Sequence, residues 1–121
     1  MNMLLNSSFA SNVLEQMAVM EGISTRRMFG GIGIYRVGLI FAIIVDERLY
    51  FKVGNSNKPD FQQAGSVPFI YNRHDKKGED KLVTMSYWEV PPYVLEDKDA
   101  MFLWMTKAYE AAVKAKYKEA V

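Results

Sequence analysis

Arg26 and Arg27 are the residues whose type and spacing most directly suggest chemistry. A guanidinium pairs bidentately with phosphate or carboxylate, so two in succession suit contact with a phosphate or an acidic partner. They run into Met28-Phe29-Gly30-Gly31-Ile32-Gly33-Ile34-Tyr35. Gly31-Ile32-Gly33 begins like a dinucleotide-binding fingerprint, but Arg36 stands where the next glycine belongs. No Lys-Ser or Lys-Thr follows, as a P-loop would need, and the cluster lies inside an apolar, strand-like run. Met28, Phe29, Gly30, Gly31 and Gly33 are therefore read as a structural motif. Its glycines let the strand bend or another backbone come close. Arg26 and Arg27 are read as candidate interaction residues.

The other reactive side chains are few. His74 is the single histidine, flanked by Arg73, Asp75 and Lys76. A metal there would have to draw on Asp75, Glu79 and Asp80, and a solvated loop histidine is the simpler reading. Without a base held in a pocket, no serine or threonine has an activator. The carboxylate pairs Asp46-Glu47, Glu79-Asp80 and Glu96-Asp97 sit at turns or caps, where local structure explains them. The chain has no cysteine, which removes disulfides, thiolate nucleophiles and sulfur-ligated zinc. These residues predict no catalytic group, no cofactor and no metal site.

The elements that must position these residues follow from periodicity. Ser7 and Ser8 can cap a helix over 8–21, with Phe9, Val13, Leu14, Met17 and Met20 on one face and Gly22 as its stop. Three strands follow as a meander: the glycine-punctuated run, Val37–Val45, and Leu49–Val53. Gly38 makes the first turn and Asp46-Glu47 the second, at two-residue length though without glycine. The third strand alternates, with Leu49, Phe51 and Val53 on one face and Arg48, Tyr50 and Lys52 on the other. The second is apolar on both faces, as a central strand is.

Pro59 suits the first position of a short helix through Phe61 to Ala64, ending at Gly65. Val67–Tyr71 reads as an edge strand, because Pro68 cannot donate to a ladder. Asn72–Asp80 carries six charged residues and a glycine and reads as a loop. Leu82–Trp88 alternates and is broken at Val90-Pro91-Pro92. Asp97 can cap a last helix whose inner stripe is Met101, Trp104, Ala108, Ala111, Ala112 and Ala115. Lys114, Lys116 and Lys118 lie near its C-terminal end, the favourable side of the helix dipole.

Composition sets the outer bounds. The chain has 121 residues, half of them apolar and 24% charged, which suits one globular domain spanning 1–121. Its formal net charge is only +1, so no whole-domain field favours nucleic acid. The N-terminus lacks the basic start and long apolar core of a signal peptide, and Leu39–Val45 is too short to span a bilayer as a helix. A cytoplasmic protein without membrane contact is expected.

The run Arg26 to Tyr35, then Gly38-Leu39-Ile40-Phe41-Ala42 and Leu49-Tyr50-Phe51-Lys52-Val53, closely resembles the N-terminal domain of the TfoX/Sxy family. Pro68-Phe69-Ile70-Tyr71, Met85 to Pro91 and the helix after Leu95-Glu96-Asp97 agree in order. The likeness covers about Phe9 to Ala112. It implies an α+β fold of the secretion-chaperone-like kind, α-β(3)-α-β(2)-α. In that fold an antiparallel sheet of about five strands is packed by N- and C-terminal helices plus a short middle helix. It also implies competence and transcription regulation: two-domain members resemble transcriptional co-activators acting with the cyclic-AMP receptor protein. Their second, helix-hairpin-helix-like module has no counterpart before Val121, so the resemblance points to a stand-alone or excised first domain. The family supplies no catalytic residue.

Two functional readings result. One is a non-enzymatic regulatory interaction module with a protein partner, such as the cyclic-AMP receptor protein or other transcription machinery, by resemblance. The alternative is a nucleic-acid-binding accessory domain. For that, Tyr35, Tyr50, Tyr71, Tyr87 and Trp88 on successive strands would form a stacking platform. These aromatics lack the basic interleaving of an RNA-binding signature, and cross-strand packing also explains them.

Overall fold

The computed structural model describes residues 8–28, 30–74 and 80–120, with side chains outside 71–85 and 119–120. Helix α1 (Ser8–Met17) leads into four strands, β1 (Ile23–Met28), β2 (Gly31–Arg36), β3 (Leu39–Val45) and β4 (Arg48–Lys52). Helix α2 (Lys58–Gln63) precedes the hairpin β5 (Pro68–His74) and β6 (Asp80–Glu89), and α3 (Pro92–Leu95) precedes the long α4 (Lys98–Ala120). The six strands form one sheet in the order β1-β2-β3-β4-β6-β5, with every neighbouring pair antiparallel. The α+β class is as expected, with one strand more than the sequence suggested.

The extra strand arises inside the glycine-rich motif. Met28 pairs with Gly31, so β1 and β2 form a hairpin where the sequence reads as one bent strand. Gly30 turns the chain there at φ +74°. Phe29 itself lies outside the described residues. The β5–β6 hairpin is also longer than expected. Asn72, Arg73 and His74 pair with Leu82, Lys81 and Asp80, so strand extends into the segment read as a loop. Six charged residues hid this pairing, because an edge hairpin beyond the core needs no apolar face to form its ladder. Asp75 to Glu79 lie outside the described residues. Helix α1 stops at Met17, short of the predicted residue 21, and the short α3 after the paired prolines was not foreseen.

The main core lies between one sheet face and the helices. Ile32, Ile34, Phe41, Ala42, Ile44, Leu49 and Phe51 meet Ala10, Val13 and Met17 of α1, Phe61 of α2, Val94 of α3, and Met101, Met105, Ala108 and Ala112 of α4. Rings interlock there: Phe41 lies 6.1 Å from both Phe51 and Tyr109, and Phe61 lies 4.8 Å from Trp104. A bulge helps fill it. Ile34 pairs with Ala42 while Tyr35 pairs with Ile40, leaving Phe41 as the additional residue. Both Phe41 and Ala42 can therefore face the helices, which strict alternation forbids.

Asp97 caps α4 as expected: its Oδ1 accepts hydrogen bonds from the Asp99 and Ala100 amides, at 2.9 and 3.2 Å. The inner stripe holds for Met101, Ala108, Ala111 and Ala112, all buried. Met105 belongs to it too and was missed. Pro68 lies on an edge strand, as its missing donor requires.

Candidate interface on the open sheet face

The second face of the sheet carries its own small cluster. Ile43, Tyr50 and Tyr87 are buried there, with Met28, Ile40, Val45 and Phe69 packed against them. All seven residues come from strands. Among the described residues no helix contributes to this cluster, whereas α1, α2, α3 and α4 all contribute to the first.

Pairing register decides which motif residues reach this face. Directly opposed residues point the same way from an antiparallel pair. Arg26 opposes Gly33 and Met28 opposes Gly31, while Arg27 opposes Ile32, a main-core residue. The two adjacent arginines therefore lie on opposite faces at the exposed edge strand. Arg26 is on the open face, with its guanidinium carbon 5.6 Å from the centre of the Tyr35 ring. Arg27 is on the helix side. The sequence pair is not a spatial pair, and a two-arginine phosphate clamp does not form.

The glycines shape the same region. A Cβ on Gly31 would fall on the Ile44 carbonyl oxygen, so β3 can lie this close only against glycine. A Cβ on Gly33 would meet the Met28 sulfur and crowd Ile40 and Tyr35. These side chains lie across Gly33 and form part of the floor beneath Arg26. Glycine is thus required at Gly31 by a close backbone approach and at Gly33 by packing.

Polar groups rim the floor. The Arg48 Nη1 donates to Glu89 Oε1 at 3.2 Å. The Lys52 ammonium lies 5.5 Å from the Tyr87 ring centre, and Tyr50 meets Phe69 edge-on at 4.9 Å. Burial pushes the Tyr87 phenol up to about 12, with the nearby Tyr35 adding to it. Burial also raises Tyr50, followed by the Glu89 carboxylate, with Arg48 opposing. Both phenols stay protonated near neutral pH, so neither offers a base.

The expected aromatic platform is divided. Tyr35, Tyr50 and Tyr87 share the open face, but Trp88 packs on the helix side, 6.4 Å from Phe61. Tyr50 and Tyr87 are nearly inaccessible, which leaves little ring face for a base to stack upon. The Tyr71 side chain lies outside the described residues. His74 opposes Asp80 in backbone register, and their side chains also lie outside the described residues. Among the described residues no cluster of three or more His, Asp or Glu side chains could hold a metal, and no helix is long and apolar enough to cross a membrane.

Comparison with known proteins adds two findings. Residues 15–112 match the family model described as the TfoX N-terminal domain. The DNA transformation protein TfoX1 of Aliivibrio fischeri (strain ATCC 700601 / ES114) is 32% identical over 78 residues, which is 64% of this chain and 34% of that protein. The chain thus spans about a third of that relative's length.

Proposed function

This chain belongs to the TfoX N-terminal domain family, a competence-related regulatory family, and on that premise we propose that it is a non-enzymatic interaction domain whose open sheet face docks a protein partner. The observation that carries the reading is the asymmetry of the sheet. One face is sealed by four helices, and the other presents an apolar floor rimmed by Arg26, Arg48, Lys52 and Glu89. An apolar centre edged by partly exposed Met28, Ile40, Val45 and Phe69, with a charged rim, has the anatomy of a protein interface. Arg26, above Tyr35, is the residue placed to pair with a partner's carboxylate. The partner proposed is a transcription regulator of the cyclic-AMP receptor protein kind, as the resemblance implies, with this chain acting as a co-activator in the cytoplasm.

The test is a pull-down from native lysate, with a nuclease-treated control, using the wild type and Arg26→Glu and Arg27→Glu made singly. A transcription regulator retained by the wild type, lost with Arg26→Glu and kept with Arg27→Glu is the expected result. Equal capture by wild type and Arg26→Glu would overturn the surface assignment. Recovery of nucleic acid alone, abolished by nuclease, would replace the reading with the accessory nucleic-acid domain, whose affinity should fall steeply with salt.

A further inference from the structure

We infer that the groove between the β4–α2 loop and the C-terminal half of α4 binds a small phosphate-bearing molecule. The groove encloses about 670 Å³ and is lined by Lys52, Gly54, Asn55, Ser86, Lys114 and Lys118, among others. A smaller opening of about 300 Å³ shares Val53, Gly54, Asn55 and Ser86 and adds Lys58 and Trp88. Lys52, Lys114 and Lys118 thus border the larger space and Lys58 the adjoining one, and no carboxylate lines either among the described residues. The whole chain carries a formal charge of only +1, so this positive charge is concentrated locally.

Helix-end electrostatics account for only part of it. The C-terminal dipole favours Lys118. It gives no reason for Lys52 on β4 to line the same space, or for Lys58 on α2 to line the adjoining one. Lys114 and Lys118 stand four apart on one helix face, a like-charge spacing that disfavours the helix unless an anion sits between them. Neither makes an ion pair with a carboxylate among the described residues.

The walls are built rather than loose. Asn57 is 1% exposed, the one buried polar side chain of the described residues. Its Oδ1 accepts from the Gly54 amide at 2.8 Å, and its Nδ2 donates to the Lys52 carbonyl at 3.0 Å. This fixes the loop that forms one wall. Gly54 and Ala111 meet where loop and helix touch, a Cβ on Gly54 lying 3.4 Å from the Ala111 Cβ. The Lys52 Nζ donates to Ser86 Oγ at 2.6 Å. An ammonium has three donors, so two remain for a ligand, and the Ser86 hydroxyl keeps its own proton to donate.

Lysine is a point-charge ligand for phosphate. The volume of the larger space falls in the range of small-molecule sites, about 300–1,000 Å³. A nucleic-acid surface would instead need a charged track across several phosphates, and Lys52, Lys114 and Lys118 converge on one space. The groove shares Lys52 with the rim of the open face, but the lysines that the test changes, Lys114 and Lys118, lie on α4, on the other side of the sheet.

The test is an amide-resolved NMR titration of the whole chain with pyrophosphate, repeated with adenosine 5′-monophosphate and with a single-stranded oligonucleotide. The variants are Lys114→Glu/Lys118→Glu and a charge-matched control, Lys98→Glu/Lys116→Glu, all at exposed helix positions. We expect saturable shifts at 54–58, 86 and 111–118 with either small probe, weakened about tenfold or more in the first variant and within about twofold in the control. Thermal melting confirms that both variants fold. Absence of saturation by about 10 mM, or equal weakening in both variants, would overturn the inference. So would saturation by the oligonucleotide alone, which would make the groove a nucleic-acid contact.

Discussion

At the residue scale, glycines and tyrosines of the open face carry more constraint than the arginines beside them. Gly31 admits no Cβ because the Ile44 carbonyl occupies that position, and the neighbour is backbone that cannot swing aside. Gly31→Ala should therefore lower stability by roughly 2–4 kcal/mol in urea denaturation. Gly30 has open space around it and is constrained only by its φ of +74°, so Gly30→Ala should cost about 1 kcal/mol. Tyr87 sets a pH limit. Its phenol titrates near 12 when folded against an ordinary value of 10.0, so above pH 10 the unfolded chain gives up a proton that the folded chain keeps. Stability is intact below that value and falls as pH rises from about 10 to about 12, by roughly 1.4 kcal/mol per unit. Melting temperature against pH should decline less steeply over this window in Tyr87→Phe.

At the element scale, the meander depends on tight turns, two of them described at both positions. Val37 and Gly38 both have positive φ, at 48° and 81°, as do Asp46 and Glu47, at 51° and 57°. These are mirror-type hairpin turns, which match the twist of the flanking strands. Val37 is a poor occupant, being β-branched, left-handed and 77% exposed. Its amide still donates to the Gly22 carbonyl at 3.1 Å, a bond that asparagine keeps. Val37→Asn should raise stability by about 0.5–1 kcal/mol in urea denaturation. The turns also show what a sequence conceals. Gly38 and Asp46-Glu47 were legible as turns because strong apolar runs flank them. The turn at Gly30 was not, because the surrounding glycines resemble one bent strand.

At the scale of the whole molecule, one sheet serves two unequal cores. The helical side holds most of the buried apolar side chains, and α4 reaches it along its length through Met101, Met105, Ala108 and Ala112. Met105→Ala should lower stability by roughly 2–4 kcal/mol, a large share of the 5–15 kcal/mol typical of a domain. Chemical denaturation would read it as a lower midpoint with little change in slope. On the helical side the Lys107–Asp60 pair at 2.8 Å ties α4 to α2, but both partners are partly solvated and such pairs contribute little.

By itself the sequence determined the class of fold, most element positions and the family. Apolar periodicity, caps and proline positions are local, and each marks an element without reference to distant residues. Residues such as Asp97 and Pro59 act within a turn of their own helix, so their roles were readable in place. Tertiary structure alone decided which residues share a surface. Arg26 and Arg27 are neighbours in the chain and separated by the sheet, because successive strand residues point to opposite faces. Lys52 and Lys114 are far apart in the chain and meet around one groove, because β4 and α4 converge there. Such meetings depend on pairing order and helix placement, which residue spacing along the chain does not encode.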